Sequence, residues 1–289
     1  MGTKLLFFLL NQSFSIPALI GFLFLKLAKY TIKISNFAPP NRKANSMYTL
    51  LRKEISSFLS SLIGYAVIIV FLLVNGLFLW VFPQEFNILD NGFASIDNYF
   101  MLAPWVFLFL IPAITMRSFA EEHKAGTMEM LLTKPVTDIE IIVAKYLAGL
   151  VLVIFSVLPT LLYYVTIYKL GMPPGNLDQG GTMGSYIGLL FLGAGFVAIG
   201  IFASAVSNNQ IVSFLIAVFL CGFMYIGFEF IYSLSIFGSF GLLVSQLGVN
   251  AHYAGMSRGV IDTRDVLYFL SLIAVFLMLT RFRLERRKW

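Results

Sequence analysis

The chain is poor in the residues that build most metal and cofactor sites. Its 289 residues include one cysteine and two histidines. Cys221 has no second cysteine with which to form an intrachain disulfide, and it lies in an apolar run where we expect it to pack as a small hydrophobic residue. Two histidines and one cysteine far apart in sequence do not supply the three or four convergent ligands of a metal site. We therefore predict no metal site and no cofactor in this chain.

Charged residues are also scarce, at 12% of the chain, whereas hydrophobic residues make up 59% and the mean hydropathy is +0.87. Soluble globular domains contain roughly 45–50% apolar residues. The composition therefore excludes an ordinary soluble domain and indicates a polytopic membrane protein. The apolar runs are unbroken, so we expect helices, which satisfy their own backbone hydrogen bonds in lipid.

Six apolar stretches are long enough to cross a hydrocarbon layer of about 30 Å, which takes roughly 20 helical residues. The predicted fold is an all-α integral membrane protein with six transmembrane helices. The predicted spans are Leu62 to Phe82, Phe100 to Met116, Leu147 to Tyr168, Tyr186 to Val206, Ile211 to Tyr232 and Asp265 to Thr280.

The sequence lacks any Gly-Lys pair. A P-loop needs that pair so that backbone amides and the lysine can surround the phosphates. The chain also has no soluble segment long enough for a nucleotide-binding fold. If ATP powers this protein, we expect a separate subunit to bind it.

The basic residues predict the orientation, because lysine and arginine collect on the cytoplasmic side. With a cytoplasmic N-terminus, only Lys169, Arg258 and Arg264 fall outside, which leaves 17 of the 20 basic residues inside. Both termini are then cytoplasmic. The inside residues are spread over several short segments, so the net charge of +6 does not indicate nucleic-acid binding.

One polar insert, Arg117 to Lys145, interrupts the apolar runs between spans two and three. Gly126 is suited to end a short helix in the left-handed conformation, Thr127 to cap a following turn, and Pro135 to stop that turn. Thr137 to Glu140 fits a capping box before the next apolar run. We expect this insert to be a stiff helical element by which something outside the membrane grips the protein.

Two segments lie outside this six-span pattern at the N-terminus. Residues 1–46 resemble neither a clear signal peptide nor a span. We interpret them as an uncertain extension arising from a gene-start error, with Met47 as the true start; an interfacial helix is the alternative.

Tyr48 to Leu62 has one apolar face, which predicts an amphipathic helix along the cytoplasmic leaflet; the alternative is an extension of span one. The apolar face consists of Leu51, Ile55, Phe58 and Leu62.

The longest outer connection, Ser233 to Arg264, contains apolar stretches too short to cross a membrane. We expect an external re-entrant segment there, and an outer gate. The G-x-S-x-G pattern at Gly255 does not indicate an esterase, because a nucleophile elbow needs a soluble α/β sheet. The gate candidates are His252, Arg258, Gly259, Asp262 and Asp265.

Two polar residues lie inside apolar runs. Glu229 is a few residues from the outer end of span five, and we expect it to be exposed there or to form a local hydrogen bond rather than to couple protons. Asn75 lies within span one, where packing is the expectation and a hydrogen bond between helices is the alternative.

The stretch 117–136, RSFAEEHKAGTMEMLLTKPV, resembles the signature between spans two and three of ABC-2-type permeases, with His123 where lysine or arginine is usual. The resemblance covers about residues 47–289. Within that family the chain is similar to the F permease of the gliding-motility ABC transporters of Bacteroidetes. The segments that carry this similarity are 47–55, MYTLLRKEI; 87–90, NILD; 102–117, LAPWVFLFLIPAITMR; and 257–265, SRGVIDTRD.

The resemblance implies the permease subunit of a transporter in the inner membrane, with both termini cytoplasmic and no enzyme activity of its own. It also implies a cytoplasmic ABC ATPase, which binds ATP and Mg²⁺, and a second permease subunit as partners. A non-transporting membrane anchor of a motility or secretion machine, and a secondary carrier, are the alternatives. The implied coupling helix contacts the ATPase through Glu121, Glu122, Gly126, Thr127, Met128, Glu129, Leu131, Leu132 and Pro135.

Overall fold

The computed structural model describes residues 44–286 except 84, 91, 93, 127–136, 174 and 235–240; for 44–46, 62 and 63 only the backbone is described. Within these ranges the regular structure is entirely helical, which confirms the predicted class. The helices are α1 (Ala44–Leu59), α2 (Leu62–Trp80), α3 (Asp97–Thr115), α4 (Ala120–Lys124), α5 (Asp138–Val157), α6 (Leu161–Leu170), α7 (Gln179–Val206), α8 (Gln210–Gly222), α9 (Phe228–Ser233), α10 (Gly241–Ser245), α11 (Val249–Met256) and α12 (Thr263–Glu285).

Among the residues that the structure describes, five helical runs are long and apolar enough to cross a membrane. The chain is therefore a multi-pass membrane protein. The pair α1 and α2 meets the same test only when taken together, and its two parts are bent by 65°. The bend shows that α1 is not a straight extension of α2. The five runs are Asp97–Lys124, Asp138–Leu170, Gln179–Val206, Gln210–Ser233 and Thr263–Glu285.

Helix α7 lies at the centre of the bundle and packs against α3, α5, α8, α11 and α12. The most apolar 18-residue stretch of α7 is 78% buried, whereas the corresponding stretches of α12 and of the run that contains α8 are each 22% buried. Small residues make this possible. A side chain at Gly200 would collide with Thr115 of α3, and one at Gly188 would collide with Met256 of α11, so glycine lets both neighbours approach the helix closely.

Local chemistry sets several helix ends and breaks. Thr137 and Glu140 form both hydrogen bonds of a capping box at the start of α5, as the sequence predicted. Pro159 lies in a 3₁₀ turn, Leu158–Thr160, that joins α5 to α6. A π-helical turn, Phe223–Gly227, joins α8 to α9. Spans three and five are thus each interrupted part-way.

The segment before the last span contains α10 and α11, which have five and eight residues and are too short to cross a membrane. Helix α11 is nevertheless anchored in the bundle, because Val249, Tyr253 and Met256 are buried. The hydroxyl of Ser185 on α7 donates to the carbonyl of Ser257 at 2.9 Å. The segment packs onto the end of the bundle at which α7 begins.

Candidate functional site

Lys145 is the most deeply buried charge among the described residues, with 2% of its surface exposed. Its Nζ lies 3.0 Å from Glu54 Oε1, 3.1 Å from Glu122 Oε1 and 2.6 Å from the carbonyl oxygen of Ser118. These three acceptors match the three N–H groups of an ammonium. The ring of Phe119 lies 5.0 Å from Nζ on a further side. A charge can be buried when it is paired and hydrogen-bonded in this way.

These residues, which we call the lysine cluster (Lys145, Glu54, Glu122 and Ser118), come from four separate elements. Glu54 belongs to α1, Ser118 to the turn after α3, Glu122 to α4 and Lys145 to α5. Lys53 adds an outer contact at 3.8 Å from Glu122. The cluster therefore ties the first part of the polar insert to the amphipathic helix and to span three.

Arg117 makes a second connection to the N-terminal helices. Its Nη1 donates to the hydroxyl of Ser61 at 3.0 Å, and its Nε lies 3.2 Å from Glu121 Oε2. Ser61 lies between α1 and α2, where the chain bends. A movement of the insert at Arg117 would thus act directly on that bend.

Ser204, near the end of the central helix α7, holds the turn between α3 and α4. Its hydroxyl accepts hydrogen bonds from the backbone N–H groups of Phe119 and Ala120 at 2.9 and 3.1 Å, and donates to the carbonyl of Met116 at 3.0 Å. Ser204, Phe119 and Ala120 are all fully buried. Together with the Lys145–Ser118 contact, these hydrogen bonds fix the start of the polar insert to spans two, three and four.

A cavity of about 60 Å³ lies against the lysine cluster, between α1, α3 and α5. It is large enough to admit water. Its polar lining includes Glu54, Ser57, Arg117 and Lys145. The cluster therefore borders a small polar space rather than a fully packed core.

The predicted coupling residues fall into three groups. Glu121 is about half exposed and pairs with Arg117, whereas Glu122 points inward to Lys145 and is only 13% exposed. Gly126 follows α4 with a φ of +67°, the left-handed conformation predicted for it, and no described residue would contact a side chain placed there. Thr127, Met128, Glu129, Leu131, Leu132 and Pro135 lie outside the described residues.

The predicted gate residues at the opposite end do not form one cluster. His252 Nδ1 lies 2.8 Å from Asp265 Oδ1, which joins α11 to α12. Arg258 Nε donates to the carbonyl of Ala254, within its own turn. Asp262 caps α12 by accepting from the Arg264 N–H, and this hydrogen bond lowers the pKa of its carboxyl.

Gly259, the remaining gate candidate, has a φ of +83° and lies directly against Gly181 at the start of α7. A side chain on Gly259 would meet the backbone of Gly181. Glu229 accepts a hydrogen bond from Asn250 Nδ2 at 2.7 Å, which confirms the local hydrogen bond predicted for it. Asn75 is fully buried and donates to the Phe71 carbonyl of its own helix.

The same end also contains a group of neutral hydroxyls, the tyrosine cluster (Tyr99, Thr160, Tyr186 and Tyr253). Thr160 donates to the Tyr99 hydroxyl at 3.1 Å, and Tyr186 donates to the Thr160 carbonyl at 3.1 Å. Tyr253 of α11 donates to the Phe100 carbonyl at 2.8 Å. The cluster links spans two, three and four with α11 without any charge.

A family model described as "ABC-2 family transporter protein" matches residues 48–289 of the chain. This match extends over well more than half of the sequence. The chain belongs to the ABC-2 transporter family. None of the curated proteins matches it. The family assignment supports a permease subunit of an ABC transporter, and the lysine cluster lies where this permease carries its polar insert.

Sequence reasoning missed several residues of the site in the permease, among them Lys145, which the charge pattern marks only as a topology signal, Glu54, Ser118 and Ser204. Two of them carry a signal in hindsight. Glu54 lies three residues after Leu51 and four before Phe58, on the apolar face of α1. Lys145 lies among buried residues of an otherwise apolar helix. An acid and a base that both occupy apolar faces indicate a buried pair.

Proposed function

We propose that this permease is one membrane half of an ATP-driven transporter, in which a separate cytoplasmic ATPase acts on the polar insert and the lysine cluster passes the displacement to the spans. The observation that carries the proposal is the burial of Lys145 between Glu54, Ser118 and Glu122. A solvated loop would not need a buried charge that holds it to three other elements. A second permease subunit completes the pathway.

The transmission route follows the contacts at the start of the insert. A push on residues 127–136 reaches α4 through Gly126, and Glu122 on α4 is ion-paired to Lys145. Because Lys145 also binds Glu54, α1 and α5 move with α4 rather than independently. Ser204 passes the same displacement to α7, the central helix. The whole insert end of the bundle then responds to the ATPase as one unit.

The cellular role that we propose is transport across the inner membrane in a gliding-motility system, on the similarity of residues 47–55, 87–90, 102–117 and 257–265 to that subfamily. A secondary carrier is disfavoured, because such carriers pair ionisable groups near the midplane. Glu229 instead lies near a span end, bound to Asn250. A non-transporting anchor would use the same spans but would not change ATPase turnover.

The ATPase contact can be tested at Leu131 and Leu132. We expect Leu131→Ala with Leu132→Ala to weaken co-purification of the ATPase sharply, because apolar side chains of this size contribute roughly 1.5–3 kcal/mol each when buried. The matched control is Leu242→Ala with Leu243→Ala, an exposed leucine pair on α10. The measurements are pull-down and ATP turnover in reconstituted membranes. Unchanged association and turnover in the Leu131/Leu132 variant would refute the coupling assignment.

A charge reversal provides a second arm, and the structure decides which glutamate to use. Reversing Glu122 would disrupt the lysine cluster as well as any ATPase contact. Glu121 is about half exposed, so Glu121→Lys changes the surface charge with less effect on the buried pairs. If Glu121 faces a basic residue of the ATPase, association should fall and the loss should shrink at high salt.

The proposed orientation, with the insert and both termini cytoplasmic, can be tested by labelling single cysteines. Cysteines at Asn176 and Asn250 should react with an impermeant thiol reagent in intact cells, whereas one at Ser118 should not. The native Cys221 is buried, so its background reaction should be small. External labelling at Ser118 would reverse the orientation.

A further inference from the structure

His252 is held between two oxygen atoms at the end of the bundle opposite the lysine cluster. Its Nδ1 lies 2.8 Å from Asp265 Oδ1, and its Nε2 lies 2.9 Å from the backbone carbonyl oxygen of Gln246. The imidazole stacks on the ring of Tyr268 at 3.9 Å between centroids, and the Tyr268 hydroxyl donates to the carbonyl of Leu247 at 2.7 Å. We call His252, Asp265, Gln246 and Tyr268 the latch.

The latch geometry fixes how many protons the pair holds. A carbonyl oxygen can only accept, so Nε2 must carry a proton. The short contact between Nδ1 and Asp265 then requires a second proton, either on Nδ1 or on the carboxyl group. In both arrangements the pair holds one proton more than a neutral histidine beside an ionised aspartate. The proton count is the same whichever of the two atoms carries the second proton.

The latch secures the turn that joins α10 to α11, and it connects that turn and α11 to α12. One other polar contact of α11 keeps its proton through neutral pH: Tyr253 donates to Phe100, and burial raises the pKa of this phenol well above its ordinary value. The charged groups nearby in the described residues are Glu229, bonded to Asn250; Arg258, bonded to Ala254; and Asp262 and Arg264 at the start of α12.

Further titratable groups on the elements packed against α11 are the phenols Tyr99, Tyr186, Tyr225 and Tyr268, and the carboxyls Asp97 at the start of α3 and Asp178 at the start of α7. Phenols stay neutral over the range in which a free histidine changes charge, between about pH 5 and 8. The ammonium and carboxylates of the lysine cluster lie at the other end of the bundle. Among the described contacts of α11, the His252–Asp265 pair is therefore the one that contains an imidazole.

We propose that the latch is a pH-sensitive switch that keeps the α10–α11 turn seated while the pair holds its second proton and releases it when that proton is lost. A neutral imidazole has one N–H and one bare nitrogen, and in this site the bare nitrogen would face an oxygen that cannot donate. The latch holds the α10–α11 turn only while the His252–Asp265 pair carries its second proton, whereas the free turn does not require that proton. The held state is therefore favoured at low pH and is lost as pH rises.

In the proposed transporter the α10–α11 segment covers the end of the pathway, so release of the latch would help the pathway to open; this link rests on the proposed function. The pH dependence of the latch does not rest on the proposed function. Its tests need neither ATP nor the partner subunits, and they use the full chain in lipid nanodiscs. Failure of the switch and failure of the ATPase coupling are therefore distinguishable.

The first test measures the protons on the ring. The chain has two histidines, so nitrogen NMR of protein labelled at histidine gives signals from two imidazole rings, and His123→Gln identifies those of His252. We expect two ring protons while the latch holds the turn at low pH and one after the latch is released at high pH. Signals that show one neutral tautomer across the whole range would overturn the proposal.

The second test measures seating by hydrogen exchange of the backbone amides in residues 246–256. After correction for intrinsic exchange, we expect about tenfold faster exchange at about pH 8 than at about pH 5, the effect of losing one charge-assisted hydrogen bond. In Asp265→Asn the amide can accept from an N–H or donate to a bare nitrogen. Protection should then persist and its pH dependence should disappear.

Tyr268→Phe is the matched control, because it removes the hydrogen bond to Leu247 without removing the titrating pair. It should speed exchange at both pH values and leave the ratio between them close to that of the wild type. A flat wild-type profile, or an Asp265→Asn protein with the full wild-type pH dependence, would each overturn the proposal.

Discussion

The two ends of the bundle are held together by different chemistry. At the insert end, Lys145 and its carboxylate partners connect α1, α4 and α5 through buried charges. At the opposite end, the tyrosine cluster connects spans two, three and four with α11 through neutral hydroxyls and tilted or edge-on rings, and the partly exposed latch adds the His252–Asp265 pair. Each neutral hydrogen bond contributes only about 0.5–1.5 kcal/mol, whereas removing one partner of a buried ion pair costs roughly 3–5 kcal/mol.

This difference suggests a division of mechanical roles. The charged end resists the loss of any one partner, so its elements should move together, as a segment that receives force must. The neutral contacts of the tyrosine cluster can be exchanged for one another at small cost. We therefore expect conformational change between states to be concentrated around α11 rather than around Lys145. Three substitutions test this comparison, from the largest expected effect to the smallest.

Lys145→Ala should have the largest effect. It leaves the carboxylates of Glu54 and Glu122 facing each other without the ammonium, and the free energy of unfolding should fall by about 3–5 kcal/mol. Thermal unfolding of the purified protein in nanodiscs measures this loss. A Lys145→Ala protein as stable as the wild type would contradict the charge pairing in the lysine cluster.

The control for that prediction removes the charges together. Lys145→Met combined with Glu54→Gln and Glu122→Gln leaves no buried charge without a partner in the cluster, and we expect it to regain at least half of the lost stability. If the cluster also transmits force, this triple variant should insert and fold but fail to couple ATP turnover to transport. Full coupling would reduce the cluster to a purely structural role.

Ser204→Ala should have an intermediate effect. It leaves the buried N–H groups of Phe119 and Ala120 without their acceptor, which costs roughly 1–3 kcal/mol. Hydrogen exchange in residues 116–124 should rise more than exchange elsewhere. Ser271→Ala is the matched control, since Ser271 is exposed and its hydroxyl bonds to Tyr268 of its own helix. Equal effects of the two substitutions would show that Ser204 does not hold the turn.

Tyr253→Phe should have the smallest effect, about 0.5–1.5 kcal/mol. Its hydroxyl satisfies the Phe100 carbonyl, and residue 104, which would normally donate to that carbonyl, is a proline without an N–H. The test is a double-mutant cycle with Pro104→Ala, which restores the helical donor. Tyr253→Phe should cost less in the Pro104→Ala background, and equal costs in both backgrounds would contradict this pairing.

Much of the fold follows from local sequence. The apolar runs predict the spans, Thr137 and Glu140 predict the capping box, and Gly126 predicts the left-handed end of α4. The boundaries are less accurate: span three was predicted from Leu147, whereas α5 begins at Asp138. The extra residues include Lys145, which is buried against protein, so hydropathy places the start of the segment too late.

The site itself depends on contacts that no local pattern contains. Lys145 binds Glu54 across 91 residues, and Phe119 binds Ser204 across 85. Sequence periodicity shows which face of a helix is apolar, but it does not show which helices are neighbours. The cluster emerges only once α7 brings spans two, three and four together.

The π-helical turn at Phe223–Gly227 has a consequence for the phase of span five. A π turn is equivalent to one residue inserted into a regular α-helix. Deleting one residue there would restore the regular ladder and rotate everything beyond it by about 100°. Glu229 would then point away from Asn250. The extra residue thus changes which side chains face the neighbouring helices. Before the π turn the span presents one set of residues to its neighbours in the bundle, and after the turn it presents Glu229 to α11.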